Sequence, residues 1–192
     1  VTLRNCLING GDYGGVNADG VDSLTMENCT VIGEESEIYN IAILAGINAK
    51  INRCDISVYE QGIVPQGGAD TLIRQNYLHD SYMTGTKHVD GIGVKGGDGV
   101  SGIVIEENWI YGQNTSCVFI KNDFGPVSNT IVQRNVLRKQ PDDDAPSYAV
   151  YSVSNGPGGT GQVTGTQFLD NVMESGTFGF LSIEDNGDPQ PV

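Results

Sequence analysis

Leu3-Arg4-Asn5-Cys6-Leu7-Ile8 and Met26-Glu27-Asn28-Cys29-Thr30-Val31 follow one template: an apolar residue, two variable residues, a special position, one variable residue and a second apolar residue. The template recurs as Ile51…Cys54…Ile56, Ile73…Asn76…Leu78, Ile105…Asn108…Ile110, Val132…Asn135…Leu137 and Phe168…Asn171…Met173. The special position therefore reads Cys6, Cys29, Cys54, Asn76, Asn108, Asn135 and Asn171, at spacings of 23, 25, 22, 32, 27 and 36 residues. A repeat of this period marks a solenoid, in which each unit buries its apolar face only against its neighbours. The shorter spacings suit three short strands per turn, and the longer ones are the same coil with loops inserted. The template predicts an all-β chain, a right-handed parallel β-helix of seven coils. A β-sandwich is the alternative, but its strands need not repeat a fixed template.

The special position has a physical explanation. Rungs of a parallel stack lie roughly 4.8 Å apart. An inward Asn at a bend can therefore bond both backbone groups and the Asn of the next coil, satisfying polar atoms that are otherwise buried alone. Cys takes this place in the first three coils as a small, readily buried residue. Cys6 with Cys29, or Cys29 with Cys54, could form a disulfide, but not both. An odd stack of three, with Cys117 in another strand, reads instead as reduced thiols.

A further strand follows in each coil, seen in Ile41-Ala42-Ile43-Leu44, Gly91-Ile92-Gly93-Val94, Cys117-Val118-Phe119-Ile120, Tyr148-Ala149-Val150-Tyr151 and Phe178-Gly179-Phe180-Leu181. The 27 glycines fit tight turns between short strands. Residues 1–186 read as a single domain and 187–192 as a linker-like tail. No cap is evident at Val1, so a piece of a longer polypeptide is expected. The formal charge of −14, from 24 acidic and 10 basic residues, opposes nucleic-acid binding. It equally opposes anionic membrane surfaces, and no apolar run is long enough for membrane insertion.

The 32-residue coil from Asn76 to Asn108 carries the most chemistry. Its insertion holds both histidines, His79 and His88, with Asp80, Lys87 and Asp90. His and Asp are acid–base groups and metal ligands, but no metal-ligand spacing is present. Aligning Gly91 with Cys117 places Lys95 over Lys121, each following an inward residue. Like charges on adjacent rungs need an anion or a carboxylate between them. Asp98 and Asp123 are the structural partners; a sugar carboxylate is the functional one. The catalytic candidates are thus His88, Asp90, Lys95 and Lys121, and the substrate-binding candidates are His79, Asp80, Lys87 and Asp123. Arg74, Arg134 and Arg138 read as exposed. Asp142-Asp143-Asp144 forms an acidic loop tip that could take calcium, although its spacing is not that of a calcium loop, and no other cofactor is expected.

Two resemblances follow from these residues. Asn17-Ala18-Asp19-Gly20-Val21-Asp22 resembles the Asn-x-Asp-Gly-x-Asp signature of polygalacturonases, in which the aspartates serve as general acid and base. The companion motifs are missing from the following coils, and an Asp-Gly turn accounts for the stretch equally well. The coil pattern as a whole resembles the pectin-lyase-like β-helix superfamily. Within it, His88-Val89-Asp90-Gly91-Ile92, Ile105-Glu106-Glu107-Asn108-Trp109-Ile110 and Phe119-Ile120-Lys121-Asn122-Asp123-Phe124-Gly125-Pro126-Val127-Ser128 resemble β-helix proteins of actinobacteria and their phages. That resemblance covers roughly Lys87 to Leu137. It implies a virion surface or minor tail protein, a homo-oligomer contacting other virion or surface subunits, at the virion or an extracellular surface. The functional expectation is a structural tail, spike or decoration protein that binds cell-surface polysaccharide. The alternative is a polysaccharide lyase or glycoside hydrolase acting on an acidic polysaccharide. Aromatic platforms for sugars look sparse, with Trp109 the single tryptophan.

Overall fold

The computed structural model describes residues 1–12, 14–35, 40–66, 70–82, 88–96, 100–112, 115–139, 148–154, 162–185 and 188–189. Three long parallel sheets run the length of the solenoid. The first contains seven strands, from Thr2–Arg4 to Gln167–Leu169, and the second seven more, from Leu7–Asn9 to Val172–Met173. The third runs from Gly14–Asn17 to Gly179–Asp185 and ends in a short antiparallel pairing with Asp188–Pro189. A fourth sheet of three short strands, Val100–Ser101, Val127–Ser128 and Val163–Thr164, lines the later coils. The right-handed parallel β-helix expected from the template is the fold observed.

Register follows the template residue for residue. Leu3 pairs with Met26, Met26 with Ile51, Ile51 with Ile73, and so on to Phe168. The second apolar position stacks likewise through Val31, Ile56, Leu78, Ile110 and Leu137, all fully buried. Each coil thus places at least one apolar side chain from each of the three long sheets into a continuous core. Burying a Val, Leu or Ile side chain contributes about 1.5–3 kcal/mol, so repetition rather than any single contact stabilises the solenoid.

The corner between the first and second sheets is where the special position acts. Asn76, Asn108, Asn135 and Asn171 each accept, through Oδ1, the backbone N–H of the special residue one coil earlier at 2.9–3.0 Å. Each Nδ2 donates to a carbonyl of the preceding coil: Ile51, Ile73, Ile105 and Val132 respectively. The amides of Asn76, Asn108 and Asn135 also donate to the next Asn of the ladder at 3.0 Å. In the first three coils Cys6, Cys29 and Cys54 donate Sγ–H to the carbonyl two residues back. All four cysteines are free thiols; burial raises the pKa of Cys54 to about 11 and of Cys117 to about 12.

The residue before every ladder position is left-handed: Asn5, Asn28, Arg53, Gln75, Glu107, Arg134 and Asp170 have φ between 51° and 55°. Such a conformation costs about 1–2 kcal/mol for a residue with a side chain. It turns the chain sharply enough to start the second sheet. It also keeps the inter-coil backbone bonds unbroken around the bend, as in Arg53 N–H to Arg74 O and Gln75 N–H to Glu106 O at 3.1 Å. The outward side chains of these corners form an ion-pair ladder. Glu107 accepts from Arg74 and Gln75 at 2.9 Å, which holds its carboxyl below the usual range.

Candidate functional site

A phase slip, repeated along the third sheet, shapes the surroundings of Asp90. In strand Asp90–Val94, Ile92 and Val94 point into the core. Gly91 faces inward too, since a Cβ there would lie 2.5 Å from the core side chain of Ile110. Two successive inward positions put Asp90 on the outer side, together with Gly93, whose Cβ would meet Gln61 Oε1 at 2.8 Å and Lys95 Cε at 3.2 Å. Glycine at 93 therefore leaves the space that Gln61 and Lys95 share.

Asp90 has no exposed surface although it lies on the outer side. Its Oδ2 accepts from Gln61 Nε2 and its Oδ1 from Ser116 Oγ, both at 2.9 Å, and these partners sit on the neighbouring rungs. Gln61 Nε2 also donates to the His88 carbonyl at 2.9 Å, which fixes the amide orientation. Gln61 Oε1 then remains buried without a partner. Burial pushes the Asp90 pKa up, against the opposing pull of Lys95, the two hydrogen bonds and His88. Burial likewise lowers the Lys95 pKa, while Asp90 and Asp123 oppose that shift.

Lys95 lies one rung from Lys121, because Val94 pairs with Ile120. Its Nζ is 5.8 Å from the centroid of the Phe119 ring. Lys121 makes an ion pair with Asp123 at 2.6 Å. The exposed His88 meets Phe119 edge to face at 6.2 Å. Phe119, Tyr151 and Tyr148 continue the same face with centroids 5.5–5.6 Å apart. The four catalytic candidates, His88, Asp90, Lys95 and Lys121, and the binding candidate Asp123 therefore share one face. Chemically this is a carboxyl biased toward its neutral form, an amine biased the same way, and a rim of partly exposed Lys121, Asp123 and His88.

The remaining candidates lie elsewhere. His79 and Asp80 sit on the second sheet, where the His79 ring bonds Asp80 at 2.7 Å through Nδ1 and Asp55 at 2.8 Å through Nε2. Asp80 is left-handed, with φ 50°, and turns the chain away before His88 is reached, so the two histidines serve different faces. Lys87, Asp98 and Asp142 to Asp144 lie outside the described residues. Among the described residues no group of His, Cys, Asp and Glu is arranged to hold a metal ion. Arg74, Arg134 and Arg138 all pair with glutamates of adjacent coils. The Asn17–Asp22 stretch is a turn: Asn17 Oδ1 accepts from Asp19 N, and Asp22 Oδ1 from Ser23 Oγ and Asn48 Nδ2. These last two bonds lower the Asp22 pKa.

The sequence of seven coils and the geometry above agree with a comparison against known families, in which the right-handed beta helix region matches residues 1–176. The chain belongs to the right-handed beta helix family. No curated protein matches it. As a member of this family the chain has its core and ladder explained, and the outer faces are where its individual chemistry lies.

Sequence reasoning missed two groups. Gln61 and Ser116 complete the Asp90 cluster, but nothing in their local sequence singles them out. Tyr77, Trp109 and Tyr111 line an open cleft of about 270 Å³ on the second sheet. Their signal was present: Tyr77 and Trp109 each follow a ladder Asn, and that column faces outward in every coil.

Proposed function

We propose that this protein is a surface-displayed β-helix that binds a carboxylate-bearing polysaccharide along the outer face of its third sheet. The observation that carries this reading is the Lys95–Lys121 stack on adjacent rungs, rimmed by His88 and Asp123 and set above the buried Asp90. Two lysines on adjacent rungs of a stiff rod meet successive carboxylates of such a polymer, and charge-assisted hydrogen bonds then hold them. The protein is placed on a virion or another extracellular surface, as a tail, spike or decoration component that forms a homo-oligomer and contacts other surface subunits. The resemblance of the segment from Lys87 to Leu137 to actinobacterial and phage β-helix proteins supports this placement, as does the rigidity of a solenoid. No cofactor is required.

A second reading is favoured by one feature, the opposite pKa shifts of Asp90 and Lys95. An amine whose pKa burial lowers, beside a carboxyl whose pKa burial raises, suits β-elimination from an acidic saccharide. Lys95 Nζ would take the proton next to the sugar carboxylate while the C–O bond β to that carboxylate breaks, a carbon–carbon double bond forms, and the departing oxygen takes a proton from solvent. The test uses a panel of acidic and neutral polysaccharides. Binding is read by retention, and chemistry by unsaturated products or reducing ends. The binding reading expects retention on an acidic polymer, lost in Lys121→Ala and in His88→Ala, with no product formed. Turnover that disappears in Asp90→Ala would replace it with the lyase or hydrolase reading. Absence of both retention and product would overturn polysaccharide recognition at this face.

A further inference from the structure

The second sheet presents a different surface. Its outward column reads Asp55, Tyr77, Trp109 and Val136 on successive rungs. Two residues further along each strand lie Ser57, His79, Tyr111 and Arg138. Trp109 and Tyr111 are stacked at 6.1 Å with 29° between their planes. Tyr77 stands edge-on to both, at 6.4 and 6.0 Å. Tyr77 and Trp109 keep 40% and 48% of their surface exposed, far more than aromatic rings of the core. An open cleft walled by three aromatic rings is an expensive surface to leave in water, and such patches mark binding sites.

The groups around the cleft define the chemistry of its occupant. The His79 ring stacks on Tyr77 at 4.2 Å and is held between Asp55 and Asp80. Those two carboxylates retain 52% and 67% exposure, so their remaining lone pairs face solvent as acceptors. Arg138, on the rung after Tyr111, is already paired with Glu174 at 3.2 Å. The border of the cleft is thus rich in hydrogen-bond acceptors and bears negative charge. An anionic ligand is repelled there, whereas a molecule with an apolar face and a rim of hydroxyl donors is matched on both counts. A pyranose ring has that form: its axial C–H bonds meet the negative faces of aromatic rings, and its hydroxyls donate to carboxylates.

We infer that the cleft formed by Tyr77, Trp109 and Tyr111, bordered by Asp55 and Asp80, is a binding site for an uncharged glycan. It is separate from the lysine face of the third sheet and does not rest on the function proposed for that face. The chain would then carry two glycan surfaces of opposite charge preference on one rod.

Trp109 is the single tryptophan of the chain, so its fluorescence reports on this cleft directly. The intact protein is titrated with uncharged cello-, manno-, malto-, xylo-, galacto- and chito-oligosaccharides, and with oligogalacturonate and oligomannuronate as charged controls. The expected result is a saturable spectral change with at least one uncharged series and none with the uronates. Tyr77→Ala and Tyr111→Ala, which keep the reporter, should weaken that response about tenfold each. Lys121→Ala should leave it unchanged. Circular dichroism confirms that each variant is folded, and Tyr111→Phe, expected to retain binding, separates ring stacking from loss of structure. No saturable change with any uncharged series would overturn the inference. So would an equal response to uronates, or a response untouched by both tyrosine variants. Sedimentation showing self-association lost in Trp109→Ala, without a sugar response, would assign the cleft to a second copy of the chain instead.

Discussion

The outer faces of the second and third sheets are built on the same rungs from the same template, yet they treat polar and aromatic groups in opposite ways. On the second sheet the aromatic rings of Tyr77 and Trp109 stand open to water, and the carboxylates of Asp55 and Asp80 are exposed. On the third sheet Phe119 is 3% exposed and the carboxylate of Asp90 is fully buried. The difference lies in the local path of the backbone. Regular alternation on the second sheet sends every odd template position outward. The Gly91–Ile92 slip on the third sheet packs polar groups against one another. The outcome is one face that is rigid and solvated and another where desolvation shifts both an acid and a base. One ladder supports both faces, so their chemistry can diverge while the solenoid stays constant.

The largest expected effect tests that shared support. Asn108 serves four partners, accepting from Asn76 N and Nδ2 and donating to Ile73 O and Asn135 Oδ1. Asn108→Ala should cost about 3–5 kcal/mol in urea unfolding, because several buried groups lose their partner at once. Both faces should fail together in that variant. A cost under about 1 kcal/mol would mean that neighbouring coils re-form the ladder around a gap.

Asp90 comes next and separates the faces. Asp90→Ala leaves Ser116 Oγ without its acceptor and Gln61 Nε2 with only the His88 carbonyl, so a loss of about 2–3 kcal/mol is expected. The pH dependence gives a sharper signature. The folded chain holds the Asp90 proton more tightly than the unfolded chain, whose value is near 3.8. The stability contributed by the protonated form is complete below that value and is lost as pH rises through the raised folded value. The cost of Asp90→Asn should therefore be greatest in acid and shrink with rising pH. A pH-independent cost would show that Asp90 titrates normally. Lys95→Met tests the coupling without touching the carboxyl. Lys95 pulls the Asp90 pKa down, so its removal should drive the Asp90 titration higher still in carbon-detected NMR. A downward movement would place the lysine charge too far away to matter.

How much of this was legible from sequence depends on which positions the template treats as informative. The ladder residues from Cys6 to Asn171, the apolar rows and the Lys95–Lys121 stack were all readable, because each repeats at fixed offsets. The left-handed corners at Arg53, Gln75, Glu107 and Arg134 were not, since nothing in an Arg or a Glu marks a positive φ. The aromatic cleft was passed over for a different reason, although its signal was present. Tyr77 and Trp109 occupy the variable position of the template, and only stacking of rungs 32 residues apart makes them neighbours. Proximity in sequence also misled: His79 and His88 share one insertion but, with Asp80 turning the chain between them, belong to different sheets. The Asp90 cluster was half visible. Its acid and lysines could be named, whereas Gln61 and Ser116 become partners only once register is known.

The smallest expected effect is the one that bears most directly on the open face. Trp109 lies at the start of strand Trp109–Gly112, with nearly half its surface in water and its neighbours Tyr77 and Tyr111 themselves accessible. Its replacement by alanine removes edge and stacking contacts with two tyrosines but opens no internal cavity, because the inward position of that strand belongs to Ile110. Trp109→Ala should therefore shift stability by about 1 kcal/mol or less, well below Asp90→Ala, and leave the Asp90 titration in place. Thermal unfolding of the two variants side by side makes the measurement. If Trp109→Ala costs as much as Asp90→Ala, the rings are a brace of the solenoid rather than a surface kept for a ligand. A cost that small would instead mark Trp109 as a side chain kept on a regular sheet for what it meets outside the chain.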